Sequence, residues 1–214
     1  MTSFQTLCVC GFEPALHGMR LPLKSHEKAD SYYEEDGNFV IGSNDYKLMK
    51  NLWKGGTEHR KYLRQIQVWA EIEFPRYVWA EWDTYKIGTS ANSESTMHTI
   101  LKEPFNVSQF EWPKFCGGDW DIEAAFNDYI DITKTVRDRA NGTTGQNKEY
   151  YQQMLKGMLP ESFLQKRTVC LNYEVLATMY RQRKNHRLPQ WSRDFVSWIK
   201  TLPFNEFITG DFDD

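Results

Sequence analysis

Asn172 and Arg183 lie 11 residues apart towards the C-terminal end of a 214-residue chain, close to three turns of a helix. The segment from Leu159-Pro160 to His186 reads as one long helix capped by Ser162, with an apolar stripe that carries both polar groups. Polar groups on a buried stripe need partners, and a bound ligand is one such partner. Arg183 also sits among Arg181, Lys184, His186 and Arg187, a cationic helix end of the kind the macrodipole favours. Both readings stand at this point. Residues 89–98, TSANSESTMH, are rich in hydroxyls and amides. They suit a surface loop, or a loop that hydrogen-bonds a ligand adaptably. His59 follows Gly55-Gly56-Thr57-Glu58, where a turn between helix and strand is the plain alternative to a chemical role.

The elements that must position these residues follow from periodicity. Leu7 to Cys10 and Phe39-Val40-Ile41 read as short strands, with a polar loop over residues 24–38. Ser43-Asn44-Asp45 reads as a cap, followed by Tyr46, Met49, Leu52 and Trp53 at helical spacing. Ile66, Val68, Ala70, Ile72 and Phe74 alternate with polar or amphipathic residues, which makes the clearest strand. Pro75 opens an aromatic helix predicted over Arg76 to Lys86 and broken by Gly88. Two further helices are predicted, Asp121 to Ala140 with Ile122, Ala125, Phe126, Tyr129, Ile130 and Val136 inward, and Tyr150 to Met158 with Tyr150, Met154, Leu155 and Met158 as its stripe. A last helix spans about Ser192 to Thr201. Early strands and later helices indicate an α+β protein, read as a single domain over 1–214 with an irregular segment at 103–120 and a mobile loop at 141–147.

Composition narrows the function classes. A formal net charge of −3 argues against direct nucleic-acid binding and against a basic membrane binder. No apolar run reaches the roughly 18 residues of a membrane span, and the first 15 residues lack the pattern of a signal peptide. The cytoplasm is the expected location. Cys8, Cys10, Cys116 and Cys170 do not have zinc spacing and are expected to be buried, reduced thiols. No metal is implied. Eight Trp and 15% aromatic residues leave rings available for an interface or for stacking a flat ligand.

Three stretches together resemble the flavin-dependent thymidylate synthases, which use FAD and a folate to methylate dUMP. His59 with Pro75 16 residues later matches a family Gly-His and Pro. Pro75 to His98 occupies the place of the family's RHRxxSxNExSxRY segment. Ser90, Asn92 and Ser95 match it, while Tyr85-Lys86-Ile87 replaces Arg-His-Arg, Ser93 replaces Glu and Met97 replaces the last Arg. Finally, Lys156 stands for the Arg of Arg-x-x-Leu-Pro, with Asn172 12 residues after Pro160 and Arg183 11 after Asn172.

The resemblance implies a thymidylate synthase-like fold, a small central sheet flanked by long helices. It implies FAD as cofactor, with a folate and NADPH as co-substrates, and a homotetramer whose sites are shared between subunits. By resemblance, His59, Asn92 and Asn172 would hold the flavin. Tyr85, Lys86, Ser90, Ser93, Lys156, Arg183 and His186 would hold the pyrimidine nucleotide, with Arg183 and Ser95 closest to the chemistry. The expected function is reductive methylation of dUMP or a related pyrimidine deoxynucleotide, or its hydroxymethylation, as a phage-like pool of modified nucleotides would need. The alternatives are a nucleotide- or protein-binding module that kept the fold without catalysis, and a structural oligomer.

Overall fold

The computed structural model describes residues 2–111 and 120–212. In chain order it contains β1 Ser3–Cys10, α1 Phe12–Arg20, β2 Tyr32–Tyr33, β3 Phe39–Val40, α2 Ser43–Lys54, β4 Gln67–Pro75, α3 Arg76–Trp82, β5 Thr89–Ser93 and α4 Thr96–Thr99. It continues with α5 Trp120–Asn141, α6 Gly145–Met158, β6 Leu164–Asn172, α7 Tyr173–Arg183, α8 Val196–Ile199 and α9 Glu206–Thr209. The four longer strands hydrogen-bond in the order β1-β4-β6-β5, and β2 pairs antiparallel with β3. The mixture is α+β, as composition and order lead one to expect.

The chain gathers into two compact units. One comprises Met1–Ser3, Ile72–Thr84 and Asn92–Arg167; the other comprises Phe4–Glu71, Tyr85–Ala91 and Thr168–Asp214. In the first, α5 and α6 enclose a core of Ile100, Phe105, Phe110, Phe126, Ile130, Val136, Leu155 and Leu159. The inward stripes are narrower than expected. Ile122, Tyr150 and Met154 are exposed, because one or two residues per turn suffice to cover this small core. The connection between the two helices is residues 142–144, shorter than the segment expected to be mobile, since α6 already begins at Gly145.

In the second unit the core is built on Met49, Leu63, Ile66, Tyr173, Leu176, Met179, Trp191, Phe195 and Phe207. Its long polar loop is organised from within. Buried Arg20 pairs with buried Asp45 and donates to the Ser25 and Lys28 carbonyls, while Asp45 Oδ2 accepts from the Asp30 and Ser31 amides and the Ser31 hydroxyl. The expected Ser43-Asn44-Asp45 cap is therefore not what starts α2. The Asp30 carboxylate accepts from the Asn44 and Asp45 amides instead, and Asp45 is committed to Arg20.

The largest departure concerns residues 164–172. They form strand β6 rather than the first half of a long helix, and α7 begins only at Tyr173. The thiols also differ from expectation: Cys8 and Cys10 are exposed, because β1 turns most of its length to solvent, and Cys170 in β6 is half-buried. Cys116, Pro113 and the rest of 112–119 lie outside the described residues. Among the described residues no helix is long and apolar enough to cross a membrane.

Candidate functional site

Asn172 is the last residue of β6 and the N-cap of α7. Its side-chain Oδ1 accepts from the Val175 amide at 3.0 Å, satisfying one of the donors that a helix start leaves open. Asn172 is 9% exposed, and its Nδ2 makes no hydrogen bond among the described residues. Gly88 passes beside it with φ +75. A Cβ there would lie 3.0 Å from Val175 Cγ2 and 3.1 Å from Asn172 Nδ2, so the backbone conformation calls for glycine and a side chain would press on both neighbours.

Arg183 ends α7. Its Nε donates to the Tyr85 hydroxyl at 2.9 Å, and that hydroxyl donates to Gln182 Oε1 at 2.8 Å. The guanidinium lies over two rings, 5.5 Å from the Tyr85 centroid and 4.9 Å from that of Trp191. Tyr85 can reach it because α3 stops at Trp82, short of the predicted Lys86. The Thr84 hydroxyl donates back to the Glu81 carbonyl, and Tyr85 and Lys86 follow in a loop.

The remaining expected residues occupy distinct settings. His59 is exposed in the turn after α2, its ring beside Gly55, and its side chain bonds none of the residues above. His186 is half-buried, with Nδ1 accepting from the Leu188 amide. Lys86 and Ser90 are exposed. In the other unit, Asn92 and Ser93 finish β5 and are exposed, and Ser95 precedes α4 without capping it through its side chain. Lys156 is half-buried with its ammonium on the Thr96 hydroxyl, while Gln152 donates to the Met97 carbonyl. The TSANSESTMH stretch is thus an edge strand and a helical turn rather than a loop.

Tyr85 with Arg183, and Asn172 with Gly88, are therefore brought together in one unit, and Ser95 lies one residue from the partner of Lys156 in the other. Trp191 and Gln182 had no motif to announce them. Nor did the buried ion pair of Arg60 and Glu174, 3.3 Å apart, in which neither Arg60 Nε nor Glu174 Oε2 makes a hydrogen bond. Burial pushes the Glu174 carboxyl up, against the opposing pull of Arg60, Arg64 and Arg181.

Residues 15–196 match the family described as thymidylate synthase complementing protein. The chain belongs to that family. The match covers most of the length of this thymidylate synthase complementing protein family member. No curated protein sequence matches it. Among solved structures, it is similar to the flavin-dependent thymidylate synthase ThyX of Helicobacter pylori, complexed with FAD and dUMP, at 17% identity, 96% coverage of each chain and a TM-score of 0.68. It is also similar to the UMP/dUMP methylase PolB of Streptomyces cacaoi, bound with 5-Br dUMP, at 11% identity, covering 98% of this chain and 95% of that one, with a TM-score of 0.62. These likenesses establish the fold.

Proposed function

We propose that this family member is a flavin-dependent enzyme acting on dUMP or a closely related pyrimidine deoxynucleotide, by reductive methylation or hydroxymethylation. The observation that carries the reading is Arg183, hydrogen-bonded to Tyr85 at the end of α7, with Asn172 capping the other end at the family spacing. A guanidinium presents a planar fork that suits a phosphate or a uracil carbonyl. The H. pylori relative, complexed with FAD and dUMP, supports the same ligand pair here.

The residues present fit a flavin in one respect. Asn172 offers an unspent Nδ2 donor, and Gly88 keeps the space beside it free of a side chain. Bound FAD would supply the reducing equivalents. The chain's own part is orientation and charge. Asn172 donates to a flavin acceptor, with His59 and Asn92 as further cofactor contacts. Arg183 and Lys156 neutralise the nucleotide phosphate, with Lys86 and His186 adding positive charge or a donor. Ser90, Ser93 and Ser95 hydrogen-bond the pyrimidine. A folate carbon donor, NADPH as reductant, a homotetramer and a cytoplasmic setting complete the proposal.

One observation favours a second reading, a nucleotide-binding module without catalysis: Tyr85-Lys86-Ile87 puts a single cation where the family has Arg-His-Arg. The absorbance of the purified protein between about 350 and 500 nm separates the two, because an oxidised flavin absorbs there. A flavin spectrum with tritium release from 5-labelled dUMP supports the enzyme. A dUMP-induced thermal shift with neither signal supports the module.

A further inference from the structure

We propose that the cavity between α1, the β2–β3 pair and the start of α2 is a binding site for a small organic cation with a methylated ammonium head. It stands independently of the nucleotide reading. The whole lining falls within residues 13–45, inside one compact unit. Tyr33 and Phe39 form a corner, their ring centroids 4.9 Å apart and their planes inclined at 60°. A group seated in such a corner meets aromatic surface on more than one side. Phe39 is held from behind by Phe12, stacked at 6.0 Å. A further wall is the imidazole pair His17 and His26, with centroids 4.3 Å apart. His26 is anchored, because its Nε2 donates to the His17 carbonyl at 3.2 Å.

Charge decides which ligand suits these walls. Two carboxylates line the cavity, Glu13 and Asp45, and no lysine or arginine does. Asp45 is committed to Arg20 and to the Ser31 hydroxyl. Glu13 lies exposed in the first turn of α1, and its carboxylate makes no hydrogen bond or ion pair among the described residues. An anion would be repelled by that carboxylate and by the negative ring faces, whereas a cation is drawn to both. A methylated ammonium needs no hydrogen-bond acceptor, so ring faces satisfy it. Size narrows the ligand further. The cavity holds about 220 Å³, less than the roughly 300 Å³ at which pockets begin to take drug-sized ligands. A flavin or a whole nucleotide is too large for it, and a single cationic head group is not.

The test uses the full-length protein with choline as the probe, followed by saturation-transfer NMR on the choline methyl protons. Saturable transfer at millimolar choline is expected. The uncharged isostere of choline, with a quaternary carbon in place of the nitrogen, should bind more weakly by about two- to fivefold or more. Tyr33→Leu removes one exposed ring and Glu13→Gln one exposed charge. Each should weaken choline binding by about two- to fivefold with the thermal midpoint unchanged. Should Tyr33→Leu lower the midpoint, Glu13→Gln carries the comparison. A short peptide bearing trimethyl-lysine separates the two sources of such a head group. If it displaces choline at lower concentration than choline itself needs, the natural ligand is a protein side chain, and otherwise it is a free small molecule. Absence of transfer from millimolar choline overturns the proposal. Equal binding of the uncharged isostere makes the cavity merely apolar and overturns it too. Wild-type choline affinity in a correctly folded variant places the binding elsewhere, with the same consequence.

Discussion

Arg20 Nε lies 2.6 Å from Asp45 Oδ1, both side chains almost wholly buried, and this pair gives the loop before α2 its shape. Removing one partner strands the other charge without solvent, which costs about 3–5 kcal/mol in buried pairs. Asp45→Ala is therefore expected to lower the urea midpoint sharply. The double variant Arg20→Met/Asp45→Leu should recover part of the loss, measured by equilibrium unfolding.

The same pair sets an acid limb. Burial alone would raise the Asp45 carboxyl, but the Ser31 hydroxyl, the Asp30 amide, Arg20 and the Ser31 amide together hold it below its ordinary value. A depressed carboxyl adds stability that is complete above its unfolded pKa, about 3.9, and is lost as pH falls through the lower folded value. Unfolding free energy measured between about pH 5 and pH 2 should fall with acid in the wild type. In Asp45→Asn that part of the slope should be absent.

Asn172 has two separable jobs. Asn172→Ala should cost about 1 kcal/mol of stability through the lost cap. Asn172→Asp keeps an N-cap acceptor and removes the Nδ2 donor, so its stability should stay near wild type while FAD affinity drops. Calorimetric titration beside thermal unfolding reads both. Equal FAD affinity in the wild type and Asn172→Asp would remove Asn172 from the cofactor contacts.

Gly88→Ala puts a Cβ 3.0 Å from Val175 Cγ2 at φ +75. The left-handed conformation alone costs about 1–2 kcal/mol for a residue other than glycine. The contact adds to it, and Val175→Ala in the same chain should return the steric part only, a non-additivity that a double-mutant cycle on thermal midpoints would resolve.

Arg183→Ala should leave the fold intact, since the side chain is only half-buried. Loss of charged hydrogen bonds should weaken dUMP binding by about 10- to 100-fold. A circular dichroism spectrum identical to the wild type, together with unchanged dUMP affinity, would remove Arg183 from the site.

Much of this architecture could be read from residue types. The alternation read from Ile66 to Phe74 coincides with β4, Gln67–Pro75, in which Val68, Ala70, Ile72 and Phe74 are buried, and the spacing of Asn172 from Arg183 spans α7 from cap to end. The failures have physical causes. Leu164 to Asn172 has a charged and polar first half, Gln165-Lys166-Arg167, that breaks the two-residue alternation. A capped helix fitted the apolar residues as well as a strand did, and pairing with β4 and β5 settled the matter in favour of the strand. Thr89 to Ser93 is almost entirely exposed, so no hydrophobic pattern could mark it. Its strand character comes from backbone bonds to β6 at the sheet edge. The Tyr85–Arg183 contact was hidden for a different reason. It joins residues 98 apart in sequence, and the helix predicted to run to Lys86 stops four residues sooner.

At the opposite border of the sheet, β1 has β4 as its one strand neighbour among the described residues, and none of its eight residues, SFQTLCVC, carries a charge. Natural proteins usually guard such a border with lysine, proline or a bulge. Strand borders without such guards are the places where other chains add most readily, and Cys8 and Cys10 lie exposed on this one. Gln5→Lys, on an exposed position, would raise the concentration at which the protein stays clear without disturbing the core.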